Sequence, residues 1–185
     1  MLGPESTGKT TLAAALARAL GAEVSAEAAR AYALAVGRPL TADDVRPIAE
    51  AQLGGEVAAE ARAAEAGRFL VVRDTDLVST ATFAKWYYGV RDPWLDTLAL
   101  ERRAALYLLC DADLPWVPDP ARDEAMRRIA TRDAMRDAFV AALDRYGCAW
   151  RWVRGRGADR LRSALAHLRE AGFLDENNLG RDYRD

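Results

Sequence analysis

Behind Lys9 the apolar positions Leu12, Leu16 and Leu20 recur at every fourth residue, which predicts a helix with one buried stripe. Residues 22–26 form a short, weakly apolar strand candidate, and a helix is expected over about 27–36, broken by Gly37-Arg38-Pro39. Thr41 then stands where an N-cap would. Asp43 and Asp44 follow in the first turn, and Pro47 is tolerated near the start of a long helix reaching about residue 66. Gly54-Gly55 is expected to bend that helix and Gly67 to close it. The continuous apolar run at 69–72 predicts a strand buried on both faces. A helix carrying Phe83, Trp86, Tyr87 and Tyr88 is stopped by Gly89, and a short helix follows over about 95–103. Residues 105–110 predict a second buried strand. The proline-rich stretch 114–120 excludes regular structure, and 123–146 reads as an arginine-rich helix. A last strand is expected over 148–153, a last helix over about 159–170, and a polar tail over 173–185.

Strands alternating with helices predict an α/β fold, a parallel sheet with helices on both faces. The length of 185 residues suits one domain. A formal net charge of −2 gives no basic footprint for nucleic acid. No apolar run approaches a membrane span and no signal peptide stands ahead of the first motif, so a cytoplasmic protein without membrane partners is expected. Cys110 and Cys148 lack metal-site spacing and read as small buried hydrophobes. The one histidine, His167, excludes mechanisms that need two. A homo-oligomer is compatible with all of this.

The strongest chemical signal is Gly3-Pro4-Glu5-Ser6-Thr7-Gly8-Lys9-Thr10, followed by Thr11, which is G-x-x-x-x-G-K-T opening a helix. Terminal glycines let successive N–H groups turn inward on a phosphate. Lys9 adds a point charge for the β- and γ-phosphates, the Thr10 hydroxyl is suited to Mg²⁺, and the helix N-terminus favours the same anion. Lys9 is one of only two lysines in a chain whose other basic side chains are arginines. ATP with Mg²⁺ is the expected ligand. Only Met1 and Leu2 precede the loop, too few for the central strand it should leave. The expectation is therefore that the first strand is largely missing and that the native chain starts upstream.

Ligands of parallel α/β sheets sit at the carboxyl ends of strands, which gathers further candidates around the loop. Asp74 and Asp76 follow the strand at 69–72. Either could serve a metal or a substrate hydroxyl, while Asp76 or Thr75 could simply cap the next helix. Glu27 could accept a proton from an attacking hydroxyl, or be a glutamate favoured by a helix N-terminus. Trp86, Tyr87, Tyr88 and Trp94 are numerous enough for a wall against a flat ring, although core packing explains each one singly. Trp116, Arg122, Arg127, Arg128 and Arg132 read as a mobile flap over a triphosphate, with Arg122 and Arg132 chosen as functional; a solvated helix laced with ion pairs is the alternative.

Taken in order, GPESTGKTTLA, EAAR, RDTDLVST and LYLLCDADLPWVPDPARD, then the Gly155 turn into a final helix, resemble the ribosylnicotinamide kinase domain of the NadR proteins over nearly the whole chain. The resemblance implies a three-layer P-loop kinase with a five-stranded parallel sheet and an adenylate-kinase-like lid at about 114–132. It implies transfer of the γ-phosphate of ATP to the 5′-hydroxyl of nicotinamide riboside, a small nucleoside, giving NMN. Residues 3–11 and Arg156 would hold ATP, Thr10 and Asp74 the metal, and Asp74, Asp76, Trp86, Tyr87 and Trp116 the riboside. Lys9, Glu27, Asp74, Arg122 and Arg132 would be catalytic. Many NadR proteins carry an adenylyltransferase with an H-x-G-H motif, impossible with one histidine, and some a DNA-binding helix-turn-helix; neither function is expected here. Another nucleoside or nucleotide kinase and an AAA-type ATP-binding regulator remain the alternatives. A GTPase would require N-K-x-D, and the chain has no Asn-Lys pair.

Overall fold

Four short parallel strands and the segment Met1–Leu2 carry the site. A computed structural model describes residues 1–117 and 129–174. The helices are α1 (Lys9–Leu20), α2 (Ala28–Val36), α3 (Val45–Glu65), α4 (Leu77–Tyr88), α5 (Pro93–Glu101), α6 (Ile129–Arg145) and α7 (Gly157–Glu170). The strands are β1 (Glu23–Ser25), β2 (Val71–Arg73), β3 (Tyr107–Cys110) and β4 (Trp150–Val153). β1 pairs with β2 and β3 with β4, both parallel. Met1 and Leu2 lie between the two ladders. The Met1 nitrogen donates to Arg73 O at 2.7 Å and Met1 O accepts from Thr75 N at 3.2 Å. On the other side Leu2 N donates to Leu108 O at 3.0 Å, and Cys110 N donates to Leu2 O at 2.8 Å. Two residues thus do the hydrogen bonding of a middle strand, and Leu2 is fully buried.

Strand alternation divides the core. Tyr107 and Leu109 of β3 pack with Leu2 against α3, α4, α5 and α6, whereas Leu108 and Cys110 pack against α1 and α7. The stripe Leu12, Leu16 and Leu20 lies in the second cluster, as its spacing requires. Helices therefore cover both faces of the strands.

Thr41 is a cap, as read from sequence, but of one turn of 3-10 helix, Ala42–Asp44, around which it forms a capping box with Asp44; α3 follows with Asp44 at its N-cap position. α3 is continuous through Gly54 and Gly55. Two expectations change. The run at 69–72 is not buried on both faces: Phe69 is 90% exposed and β2 begins only at Val71, because Phe69 precedes the ladder at the sheet end away from the loop. The short helix starts earlier than expected, at Pro93, with Asp92 as its cap. Among the described residues no helix is long and apolar enough to cross a membrane.

Candidate functional site

The loop before α1 has the backbone its glycines foretell. Gly3 has φ 137° and Gly8 φ 74°, both in the region that disfavours side chains. A Cβ on Gly3 would stand 2.6 Å from Cys110 O, so the loop crosses the end of β3 at a separation only glycine permits. Gly8 caps α1, and Ser6 is also left-handed at φ 55°. Lys9 is buried, and its Nζ donates to Gly3 O at 3.0 Å and Pro4 O at 2.8 Å, so the ammonium lies across the loop. Thr7 Oγ1 braces the loop through Pro4 O at 2.8 Å. Thr10 and Thr11 are exposed at the helix start.

Beside the loop opens a cavity of about 610 Å³ between α2, α3 and α4. Glu5, Glu27, Thr75, Phe83, Tyr87 and Tyr88 are among its walls. Tyr87 OH donates to Glu5 Oε1 at 3.0 Å, which joins the aromatic helix directly to the loop. Phe83 and Tyr87, one helical turn apart, stack with centroids 5.7 Å apart. At the far rim Arg38 donates to both oxygens of Asp44 at 2.7 and 2.8 Å, and Tyr32 OH donates to Oδ1 at 3.0 Å. The Arg38 guanidinium holds the Asp44 carboxyl well below the usual carboxylate range.

The carboxylates expected here divide by environment. Glu27 occupies the N-cap position of α2, yet its side chain makes no capping hydrogen bond and lines the cavity instead. Asp74 is buried at the end of β2, and its Oδ1 has no hydrogen-bond partner. An orphaned buried carboxylate oxygen and a hydroxyl residue exposed at the helix start are donor types that suit a divalent cation. Asp76 behaves otherwise. It caps α4 by accepting from Ser79 N at 3.1 Å and takes a 2.6 Å hydrogen bond from Tyr107 OH, so both oxygens are occupied and it does not line the cavity.

Helical geometry corrects the aromatic wall. Ser79, Phe83 and Tyr87 share the cavity face of α4 at i, i+4, i+8 spacing. Trp86 points about 100° away and lines a separate cavity of about 280 Å³ with α5 and α6. Trp94 lies under Arg46, whose guanidinium carbon is 4.2 Å from the ring centroid. Trp116 belongs to the segment against the loop rather than to the cavity: Val117 O accepts from Ser6 Oγ at 2.8 Å, and Leu114 abuts Gly8. Arg132 is buried and reaches the same place. It donates to Leu114 O at 3.1 Å and Ser6 O at 3.5 Å, and burial pushes its pKa down. Arg122, Arg127 and Arg128 lie outside the described residues. Arg156 stands exposed at the N-cap of α7.

Sequence reasoning passed over Arg160. It is buried in α7 and donates to Asp113 Oδ1 at 2.7 Å, Thr7 O at 2.8 Å, Gly155 O at 2.9 Å and Asp111 O at 3.2 Å. One guanidinium thus joins the loop, the end of β3 and the β4–α7 turn. In the sequence it is one arginine among many, and only its departure from the polar face of an amphipathic helix could have marked it.

Residues 1–160 match the family model described as an AAA domain. The chain belongs to this family. The AAA domain is 31% identical over 144 residues to the trifunctional NAD biosynthesis/regulator protein NadR of Salmonella typhimurium, a match covering 77% of this chain and 34% of that protein. A crystal structure of NadR protein in complex with NR is similar with a TM-score of 0.73 and 23% identity, over 97% of this chain and 51% of the other. A second, of NadR protein in complex with NAD and AMP-PNP, gives 0.71 and 24%, over 94% and 49%. The resemblance to NadR proteins read from the motifs therefore holds in sequence and in fold. The AAA domain spans about a third of the curated relative and about half of each solved chain.

Proposed function

We propose that this AAA domain is an ATP-dependent kinase that phosphorylates the 5′-hydroxyl of nicotinamide riboside to give NMN. The observation that carries the reading is the 610 Å³ cavity, which the loop residue Glu5, the carboxylate of Glu27 and the ring of Tyr87 line together. A phosphate donor on the loop and a flat-ringed nucleoside in the cavity would meet at Glu5. The NadR complexes with NR and with AMP-PNP support the same pair of ligands.

In this reading the loop amides and Lys9 hold the β- and γ-phosphates, and Thr10 and Asp74 would hold Mg²⁺, whose charge would offset that of the phosphates. The 5′-oxygen bonds to the γ-phosphorus as the bond to the β–γ bridging oxygen breaks, leaving ADP. Glu27 accepts the hydroxyl proton. Tyr87, Tyr88 and Phe83 form the wall for the ring, a function given up for Trp86. Arg132, beside Ser6, stabilises charge on the transferred group; most of the lid expected at about 114–132 lies outside the described residues. Met1–Leu2 takes the middle position of a five-stranded sheet.

A panel of nucleosides with labelled ATP tests this. Transfer to nicotinamide riboside, lost by at least about a hundredfold in Lys9→Ala with circular dichroism unchanged, is the expected outcome. NMN at background would overturn the reading. Transfer to a different nucleoside would leave a kinase with another acceptor, and ATP hydrolysis that no nucleoside stimulates would favour an AAA-type regulator.

A further inference from the structure

The wall of this cavity includes a side chain that none of the sequence motifs contains. Gln52 of α3 is 2% exposed and lines the cavity. Its Oε1 accepts from Ala28 N at 3.1 Å, the residue after Glu27. Its Nε2 donates to Thr75 O at 3.4 Å, the residue after Asp74, and to Glu56 Oε1 at 3.4 Å. One amide therefore spans the start of α2, the body of α3 and the turn from β2 into α4.

The turn it holds is strained. Thr75 has φ 67°, a left-handed conformation that a β-branched residue adopts only when its surroundings impose it. The constraints are visible: Asp74 N donates to Ser25 O at 2.8 Å, Thr75 N to Met1 O at 3.2 Å, and Thr75 O accepts from Gln52. The strain lies between Asp76, spent as a cap, and Asp74, whose Oδ1 stays unpartnered. Backbone strain next to an orphaned carboxylate is what a turn shaped for a ligand, rather than for stability, looks like.

We propose that Gln52 is a positioning residue of the acceptor site: by gripping Ala28 and Thr75 at once, it fixes the Glu27 and Asp74 carboxylates at the separation the acceptor hydroxyl requires. The inference rests on the kinase reading above. Gln52 hydrogen-bonds to no residue of the loop, so its effect falls on turnover, through the spacing of Glu27 from the Asp74 turn, rather than on the loop's hold on ATP. A misplacement near 1 Å costs about a hundredfold in such reactions. Gln52→Met keeps the length and loses all three hydrogen bonds. Gln52→Glu keeps the acceptor for Ala28 N, and when protonated it also keeps a donor for Thr75 O. Its carboxyl would face Glu56, which is itself flanked by Arg73 on β2 and Arg102 after α5 and feels the charge of Asp76 at the start of α4.

The test measures kcat and both KM values with ATP and nicotinamide riboside for the wild-type protein and both variants, from pH 5.5 to 8.5, with unfolding curves alongside. Gln52→Met is expected to lower kcat at least tenfold while the KM for ATP stays within twofold. Gln52→Glu is expected to recover activity toward low pH, where its carboxyl is protonated, relative to wild type. Gln52→Met turnover within twofold of wild type would overturn the proposal. So would a rise in the ATP KM parallel to the loss of turnover, or an activity loss that follows only the fraction unfolded. A Gln52→Glu profile identical in shape to that of wild type would also overturn it. If the wild-type protein transfers phosphate to no nucleoside, the kinase reading has failed instead.

Discussion

Gly3 shows how much one position can depend on a hydrogen atom. Its φ is 137°, and a methyl group added there would stand only 2.6 Å from Cys110 O, which leaves no room for a side chain. Gly3→Ala is expected to destabilise the domain by about 1–3 kcal/mol in denaturant titration, since the strained backbone must either persist with a Cβ or withdraw from β3. Nucleotide binding should weaken with it, because the loop would move off the strand end that positions it. The glycine was legible in the sequence; its cause was not, since Cys110 lies more than a hundred residues away. The same holds for Asp74 and Asp76. Both follow one strand, and only their partners separate them: Ser79 and Tyr107 occupy Asp76, while Asp74 keeps a bare oxygen.

At the scale of elements, α3 carries a buried polar face that its sequence hardly announces. Gln52 and Glu56 are one turn apart, and both are buried. Burial pushes the Glu56 carboxyl up from 4.5 to about 7, against the pull of Arg73, whose NH1 lies 3.1 Å away. The folded state then binds a proton more tightly than the unfolded chain. Its contribution to stability is full below 4.5 and declines as pH rises toward 7. Melting curves between pH 5 and 8 should show that decline, and Glu56→Gln should flatten it. α4 teaches a related lesson. Four aromatics in sequence suggested one wall, but a helix turns about 100° per residue, so Tyr87 and Trp86 face different cavities.

Across the whole molecule, Arg160 joins parts that the chain keeps far apart, the loop at Thr7, Asp111 and Asp113 after β3, and the Gly155 turn after β4. Arg160→Ala is expected to cost about 1.5–3 kcal/mol in stability. It should raise the KM for ATP while leaving that for the acceptor within about twofold, which steady-state titration of each substrate would check. Gln52 ties the start of α2 to the turn after β2, and Arg160 ties the loop to the ends of β3 and β4.

The sequence by itself determined what is local. The glycine spacing of the loop, the stripe on α1, the cap at Thr41 and the breaks at Gly37 and Gly89 all arise from neighbours along the chain, and each reappears in the fold. Tertiary structure decided whatever depends on partners distant in sequence. It turned Tyr87 rather than Trp86 toward Glu5, spent Asp76 on a cap, left Phe69 in solvent and gave Met1–Leu2 hydrogen bonds on both sides. The physical reason is that propensity and periodicity act over a few residues, whereas burial and hydrogen bonding are settled only when strands from the two ends of the chain lie side by side.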